Sequence, residues 1–215
     1  MRHPLNFTAL FLCASAASAA APSAKSGIEA SSYTAAALPA QSSPHAGMTR
    51  HPAVSATHIV FSFADDLWTV PRSGGVASPL ASPPGRESFP RFSPDGKTIA
   101  FVGNYDGDTD LYTLPTVGGI PHRVTHHPQD EELCGYTPDG NLLFQANGIS
   151  GIRGQKWMFT VSPKGGLPSR VPVPYGSYGS ISSDGKTLAY TPFDRVGRTW
   201  KRYAGGLASE IWLMD

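Results

Sequence analysis

A short segment that occurs three times in the chain constrains the fold more than any other feature. FSPDGKTIAF recurs as YTPDGNLLFQ and as ISSDGKTLAY. The aspartates of these segments, Asp95, Asp139 and Asp184, are 44 and 45 residues apart. Repetition at such a spacing is typical of proteins built from small stacked units, such as solenoids and propellers.

A second element keeps nearly the same spacing. LWTVPRSGG, LYTLPTVGG and MFTVSPKGG end at Gly75, Gly119 and Gly166, which are 44 and 47 residues apart. Asp-Gly permits a type I′ or bulged hairpin turn, and the alternating residues after it predict a strand with one buried face. The aromatic-rich segment supplies the next strand, and Gly-Gly turns the chain into an outer strand. Such a unit, with four short strands, has the size of a propeller blade.

Residues 48–215 divide into four such units, so the predicted fold is all-β: a β-propeller of four-stranded antiparallel blades. The first unit contains HIVFSF and DLWTVP and has the shorter turn SATH in place of Asp-Gly. The fourth unit begins at Gly179 and reaches EIWLMD at Asp215 without an outer strand. Propellers close into rings that hide the edges of their sheets. We therefore expect a truncated, incomplete ring, marginally stable or prone to associate through an edge at Trp212–Met214.

The first 47 residues have a different composition. Arg2 and His3 precede the apolar run LNFTALFLCASAASAA, and Ala17-Ser18-Ala19 has the small residues of a signal-peptidase site. We expect residues 1–19 to be a signal peptide, with an uncleaved membrane anchor as the alternative. Residues 20–47 are rich in Ala, Ser and Pro and have few large apolar side chains, which predicts a disordered linker.

Charge and motifs exclude several classes of function. The 17 Lys and Arg residues nearly balance the 16 Asp and Glu residues, so no net field favours nucleic acid or an anionic membrane. If Cys13 leaves with the signal peptide, Cys134 is the only thiol, and we interpret it as a buried small hydrophobe. The chain has no G-x-S-x-G, no H-E-x-x-H and no cysteine pair at zinc spacing. We expect no catalytic residue, no metal and no cofactor in it.

An acidic segment has two possible interpretations. Asp106, Asp108 and Asp110 have the alternate spacing of a calcium loop. That loop also requires a glycine where Leu111 stands and a glutamate where Val117 stands. The favoured interpretation is therefore an acidic, solvated hairpin tip.

A histidine-rich segment follows it. HRVTHH, which contains His122, His126 and His127, is predicted to be an outer strand that runs into an acidic loop. On a strand, His122 and His126 would share a face roughly 13 Å apart, too far for joint metal ligation.

Aromatic residues mark one register through the four units. Trp68, Tyr112, Phe159 and Trp212 occupy equivalent positions, and repetition at one register indicates core packing. The spacing between paired aromatic positions nonetheless grows along the chain. It is 11 residues from Phe101 to Tyr112, 15 from Phe144 to Phe159 and 22 from Tyr190 to Trp212.

The longest of these intervals contains an insertion in which cations alternate with aromatics, RVGRTWKRY. Its candidate site residues are Arg198, Trp200 and Arg202. They would contact peptide carboxylates or another domain, because arginine binds carboxylates and aromatics anchor interfaces. The favoured interpretation of the insertion is nonetheless a solvated loop with its tryptophan packed on the blade, and the contact surface is the alternative.

The repeats resemble those of TolB-like and tricorn-like propellers over roughly residues 50–215. Three stretches are similar to tricorn-like serine proteases in particular: RHPAVSATHIVFSFADDLWTVPRSGG, FVGNYDGDTDLYTLPTVGGIPHRVTHH and RTWKRYAGGLASEIWLMD. This resemblance implies a large self-compartmentalising serine peptidase that cleaves oligopeptides. It would have a six-bladed first propeller, a second propeller, a PDZ domain and a Ser-His-based catalytic domain.

In the context of that family, the chain would hold about four of the six blades of the first propeller. The resemblance implies a scaffold and substrate gate for a catalytic domain outside these residues, inactive alone. The implied partners are peptide substrates, the other domains of the same chain and further copies in a homo-oligomer, with no nucleic acid and no membrane span after signal cleavage. The signal implies a periplasmic or secreted bacterial protein, whereas the family archetype is cytoplasmic. The alternatives are a non-enzymatic TolB-like protein-binding propeller and the propeller of a prolyl-oligopeptidase-type peptidase.

Overall fold

Four antiparallel sheets make up the structure, a computed structural model that describes residues 46–81, 83–147, 155–194, 205, 208 and 210–215. Three sheets have four strands and the fourth has three. A single 3-10 turn, Ala46–Met48, precedes the first strand. Across the described ranges no helix is long and apolar enough to cross a bilayer. The predicted signal peptide and residues 20–45 of the predicted linker lie outside these ranges.

Each sheet is a meander whose spatial order follows the sequence. Blade 1 contains β1 (Arg50–Val54), β2 (His58–Phe63), β3 (Asp66–Pro71) and β4 (Ser78–Ala81). Blade 2 contains β5 (Arg86–Phe92), β6 (Thr98–Asn104), β7 (Asp110–Pro115) and β8 (His122–Arg123). Blade 3 contains β9 (Glu131–Tyr136), β10 (Leu142–Ala146), β11 (Trp157–Val161) and β12 (Ser169–Arg170). Blade 4 contains β13 (Ser177–Ile181), β14 (Leu188–Thr191) and β15 (Trp212–Met214).

The first strands of successive blades contact one another, β1 with β5, β5 with β9 and β9 with β13. This places them on the inner side of the partial ring, where the first strands of a propeller line its central channel. The predicted all-β propeller of four-stranded blades is confirmed.

The core lies between the blades, and the two middle blades contribute to a buried cluster on each of their faces. Three clusters of buried side chains join the successive blades. Between blades 1 and 2 the cluster includes Val60, Leu67, Ile99, Phe101 and Tyr112. Between blades 2 and 3 it includes Val102, Leu111, Leu133, Phe144 and Phe159. Between blades 3 and 4 it includes Leu143, Met158, Val171, Leu188 and Tyr190.

The predicted aromatic register is confirmed by the strand pairing. Phe61 pairs with Trp68, Phe101 with Tyr112, Phe144 with Phe159 and Tyr190 with Trp212. Tyr112 and Phe159 are buried in the core as predicted. The prediction is wrong for Trp212, which is 40% exposed. It lies on β15, the edge strand of its sheet among the described residues, and meets Tyr190 edge-on at 6.2 Å.

The Asp-Gly turns of blades 2, 3 and 4 share one hydrogen-bonded design. In blade 2 the Ser93 hydroxyl donates to Asp95 Oδ1 at 2.6 Å, and the Lys97 N–H donates to the same oxygen at 3.1 Å. These bonds, that from Ser93 above all, lower the pKa of Asp95. Gly96 has a φ of +69°, whereas Asp95 is not in the left-handed region, so the turn is the bulged form rather than type I′.

Strand β8 is shorter than predicted, since it ends at Arg123 and His126 lies beyond it. The predicted outer strand HRVTHH is therefore too long, and His122 and His126 do not share the face of one strand. The Val124 N–H still donates to the Leu111 carbonyl, and the His127 N–H donates to Asp110 at 3.3 Å. The chain leaves the sheet edge at this point because a buried carboxylate binds its backbone.

Candidate functional site

The inner strands of three blades carry a bulge with an unusual backbone conformation. The bulges lie between Arg50 and Ala53, between Ser88 and Arg91, and between Ser177 and Ser180. The second residue of each bulge has a positive φ: His51 (48°), Phe89 (52°) and Tyr178 (50°). Bulky residues rarely adopt this region, and it costs about 1–3 kcal/mol at each position. Such strain is concentrated at functional sites, so the inner strands are the first place to look for one.

Two of these side chains meet at the junction of blades 1 and 2. The rings of His51 and Phe89 lie 4.0 Å apart between centroids, tilted by 34°. His51 lines a cleft of ≈ 430 Å³ between blades 1 and 2, and Phe89 lines a cleft of ≈ 310 Å³ between blades 2 and 3. Arg86 and Ser88 line both. The two clefts therefore form one polar wall along the inner strands.

The cleft between blades 2 and 3 contains a lysine between two carboxylates. Lys156 Nζ lies 3.2 Å from Glu132 Oε2 and 2.7 Å from Asp194 Oδ2, and its side chain is only 12% exposed. Burial lowers the pKa of Lys156, but the hydrogen bond to Asp194 and the charge of Glu132 outweigh burial and the pKa lies above its usual range. Lys156 therefore stays charged and joins blade 3 to the segment after β14.

Two further residues extend this network. The Gln145 amide donates to Glu132 at 2.7 Å, and its Oε1 accepts the backbone N–H of Tyr178 at 2.8 Å. The Tyr178 hydroxyl donates to Asp194 at 3.0 Å. The network binds both the backbone and the side chain of Tyr178, and it thereby stabilises one of the three positive-φ residues.

Buried glutamates at the start of β5 and β9 connect each blade to the one before it. Glu87 accepts the Leu67 N–H at 2.8 Å and the Tyr105 hydroxyl at 2.5 Å. Glu131 accepts the Thr125 hydroxyl, which in turn accepts the Leu111 N–H at 2.9 Å. Burial raises the pKa of Glu87, and it raises the pKa of Glu131 to about 7.

The acidic segment singled out in the sequence is solvated only in part. Asp106 and Asp108 are exposed, as predicted for a hairpin tip. Asp110 is 1% exposed, so the prediction is wrong for it. Its Oδ2 lies 2.5 Å from Arg123 Nη2, and Asp106 lies 3.1 Å from Nη1 of the same arginine. The guanidinium of Arg123 therefore balances the negative charges of Asp106 and Asp110.

The three histidines lie around an outer groove of ≈ 560 Å³ whose floor includes Phe144 and Phe159. Over the ranges that the structure describes, no three His, Cys, Asp or Glu side chains converge to hold a metal ion. Cys134 is half-buried against the core between blades 3 and 4, and burial raises the pKa of its thiol to about 11. Both properties fit an inert, packed thiol.

The predicted contact residues Arg198, Trp200 and Arg202 lie outside the described residues. Their segment joins β14 to β15, after Asp194 of the lysine network. The sequence prediction missed the residues of the inner wall, His51, Phe89 and Tyr178. A usable signal exists, since each is an aromatic or imidazole side chain followed by Pro or Gly: His51-Pro52, Phe89-Pro90 and Tyr178-Gly179.

Comparisons with known proteins agree with this architecture. Residues 46–215 match the family described as the tricorn protease N-terminal beta propeller domain. The chain is 30% identical over 158 residues to tricorn protease homolog 1 of Streptomyces coelicolor, a match over 72% of this chain and 14% of that protein. The chain therefore spans about a seventh of that relative.

Solved structures share the fold. The crystal structure of the tricorn protease superposes with a TM-score of 0.66 at 23% identity, over 77% of this chain and 17% of the other. A putative TolB from Agrobacterium tumefaciens superposes with a TM-score of 0.59 at 19% identity, over 77% of this chain and 57% of the other. At these identities the likeness extends to the fold alone. The match over residues 46–215 decides the family, and the chain belongs to the tricorn protease N-terminal β-propeller family.

Proposed function

We propose that this propeller is part of an exported serine peptidase and acts there as scaffold and substrate gate. In this proposal a catalytic domain outside these residues hydrolyses oligopeptides, and other domains and further copies of the chain complete the assembly. The observation that supports a gate is the polar wall of the inner strands. It combines two clefts, three ring-bearing residues with a strained backbone and a buried lysine network on the channel side of the blades.

A wall of this kind suits selection of peptides better than passive packing. The amide side chains of Asn104 and Asn147 line the cleft between blades 2 and 3, together with the ring of Phe89. Amide side chains bind peptide groups and an aromatic ring packs on apolar side chains. A scaffold without a gating role needs neither the clefts nor the strained backbone at the ring-bearing residues of the inner strands.

The TolB-like protein-binding propeller is the second candidate, favoured by the superposition on a putative TolB. The two proposals differ in what the protein does with a peptide. A gate changes the length or terminus preference of hydrolysis in the protein that carries the catalytic domain, whereas a docking propeller binds a folded partner and leaves hydrolysis unaffected.

The insertion of blade 4 provides the direct test of gating. In the protein that carries the catalytic domain, Arg198→Ala with Arg202→Ala is expected to change the ratio of turnover between long and short peptides by about tenfold, the value of one lost charge-assisted contact. Turnover of a minimal chromogenic substrate is expected to stay within about twofold. Arg72→Ala, at the exposed turn after β3, is the matched control. Equal losses on both substrates would show a structural loop rather than a gate.

Export is tested separately from gating. Residues 1–47 fused to a reporter without its own signal are expected to carry most of the reporter out of the cytoplasm, with cleavage after Ala19 read by mass spectrometry of the product. Arg2→Glu is the control, because a positive charge before the apolar run is part of the signal. A reporter that stays intact in the cytoplasm contradicts export and leaves the gating proposal untouched.

A further inference from the structure

The cleft between blades 1 and 2 holds buried polar atoms that have no hydrogen-bond partner in the described part of the chain. Ser62, on β2, lines this cleft and is only 7% exposed. Its Oγ has no hydrogen-bond partner among the described residues, and neither has the buried Nδ1 of His51 in the same cleft. A buried polar group without a partner costs about 1–3 kcal/mol. Two such groups in one cleft indicate that a ligand supplies the missing partner.

Cations surround the same space. Arg50 and Arg86 line the cleft; Arg50 has no ion pair within the described ranges, and Arg86 has a loose one with Asp65, which also lines the cleft. The nearest acidic oxygen to Arg86 belongs to Asp65 at 3.8 Å, and both of those side chains are more than half exposed. Burial lowers the pKa of His51, and the charges of Arg86, Arg91 and Arg50 lower it further. The potential at His51 is therefore positive, and its ring is neutral.

The buried acid of the cleft is already in use. Glu87 is 1% exposed, and both of its oxygens accept hydrogen bonds, one from the Leu67 N–H and one from the Tyr105 hydroxyl. Neither the Ser62 hydroxyl nor His51 Nδ1 is among its partners, and it forms no ion pair with Arg50 or Arg86 within the described ranges. The groups that can still donate to a ligand are the guanidinium of Arg50, the guanidinium of Arg86 beyond its loose contact with Asp65, the hydroxyls of Ser62 and Ser88, and His51 in the tautomer protonated at Nδ1.

We propose that this cleft binds a carboxylate group through Arg50, Arg86, Ser62 and His51. A planar, singly charged carboxylate accepts up to four hydrogen bonds and pairs with arginine in a bidentate manner. Two arginines, one of them close to Asp65, suit one negative charge better than the two charges of a phosphate. The site is formed by blades 1 and 2 alone, so the inference does not depend on the gating proposal.

Two sources of the carboxylate are separated by the choice of ligand. Titration calorimetry on the whole 215-residue chain compares N-acetyl-trialanine with a free carboxyl terminus, the same peptide as its amide, and N-acetyl-Ala-Glu-Ala-amide. The free terminus or the glutamate peptide is expected to bind at least about tenfold more tightly than the amide, and the tighter of the two identifies the source. Equal binding of acid and amide, or tighter binding of inorganic phosphate than of either carboxylate, overturns the proposal.

Two serine variants separate a ligand contact from an accident of packing. Ser62→Ala is expected to weaken carboxylate binding about tenfold while the melting temperature stays the same or rises, because the substitution removes an unsatisfied buried hydroxyl. Ser177→Ala is the matched control: Ser177 is 1% exposed and its Oγ is also without a partner, but it lies on β13 in blade 4. It is expected to leave binding unchanged.

The arginine provides a second variant that does not depend on the hydroxyl. Arg50→Gln is expected to weaken binding of the carboxylate peptide at least about tenfold and to leave binding of the amide peptide unchanged. If both Ser62→Ala and Arg50→Gln bind the carboxylate as the unaltered chain does, an ordered water satisfies the buried atoms and the proposal is wrong.

Discussion

Gly85→Ala is expected to lower the free energy of unfolding by about 4 kcal/mol. Gly85 lies between β4 and β5, where the chain crosses from blade 1 to blade 2, and its φ is +140°. A Cβ there would lie 2.2 Å from the Asn104 carbonyl oxygen and 2.7 Å from Tyr105 Cδ1. The backbone oxygen cannot move aside as a flexible side chain can, so strain and overlap add.

The matched control is Gly74→Ala. Gly74 also has a positive φ, +93°, but nothing lies within 4 Å of the position of its Cβ. Only the conformational penalty applies there, about 1 kcal/mol. Denaturant unfolding of both variants, followed by tryptophan fluorescence, measures the difference. Equal losses would show that close packing of the crossover against the end of β6 adds nothing to the energetics.

The crossover matters because it positions the polar contacts between blades. Tyr105, which the Gly85 backbone approaches, donates its hydroxyl to Glu87, and Glu87 accepts the N–H of Leu67 on the preceding blade. A bulkier residue at position 85 would move this chain of contacts as well as the backbone. Stability at the crossover is thus linked to the alignment of successive blades.

Features with a local cause could be predicted from the sequence. Asp-Gly turns, the near-constant spacing and the aromatic register all depend on residues close together in the chain, and the structure confirms the blades and the pairing of Phe101 with Tyr112. The bulged form of the turn was one of two forms left open, and the φ of Gly96 decides it.

Features that depend on side-chain contacts between separate strands, within one blade or between blades, could not be predicted. Asp110 belongs to an acidic tip by its sequence, yet Arg123, thirteen residues later, pairs with it and the sheet buries it. The clefts need inner strands of different blades, so residues as distant as His51 and Phe89 have to meet. The alternation of residues along one strand does not reveal which side chains of different blades come into contact. The bulges that orient these side chains are shifts of strand register, and alternation does not predict them either.

Burial of charge between blades makes the stability of the propeller dependent on pH. Glu131 is 3% exposed, and burial raises its pKa to about 7, compared with 4.5 for an ordinary glutamate. The folded state therefore favours the protonated carboxyl. Its contribution to stability is fully present below about pH 4.5 and is lost as the pH rises through about 7. The shift corresponds to a loss on the order of 3 kcal/mol over that interval.

Glu131→Gln is expected to remove this dependence. The glutamine is neutral at every pH and keeps an amide oxygen that accepts the Thr125 hydroxyl, so the variant should match the unaltered chain near pH 4 and exceed its unfolding free energy by up to about 3 kcal/mol near pH 8. Chemical unfolding at several pH values measures the difference. Asp108→Asn, at an exposed carboxylate, controls for the loss of one negative charge. A constant difference between Glu131→Gln and the unaltered chain from pH 5 to pH 8 would mean that Glu131 stays ionised between the blades, stabilised by Thr125 and by the charge of Arg123 despite its burial.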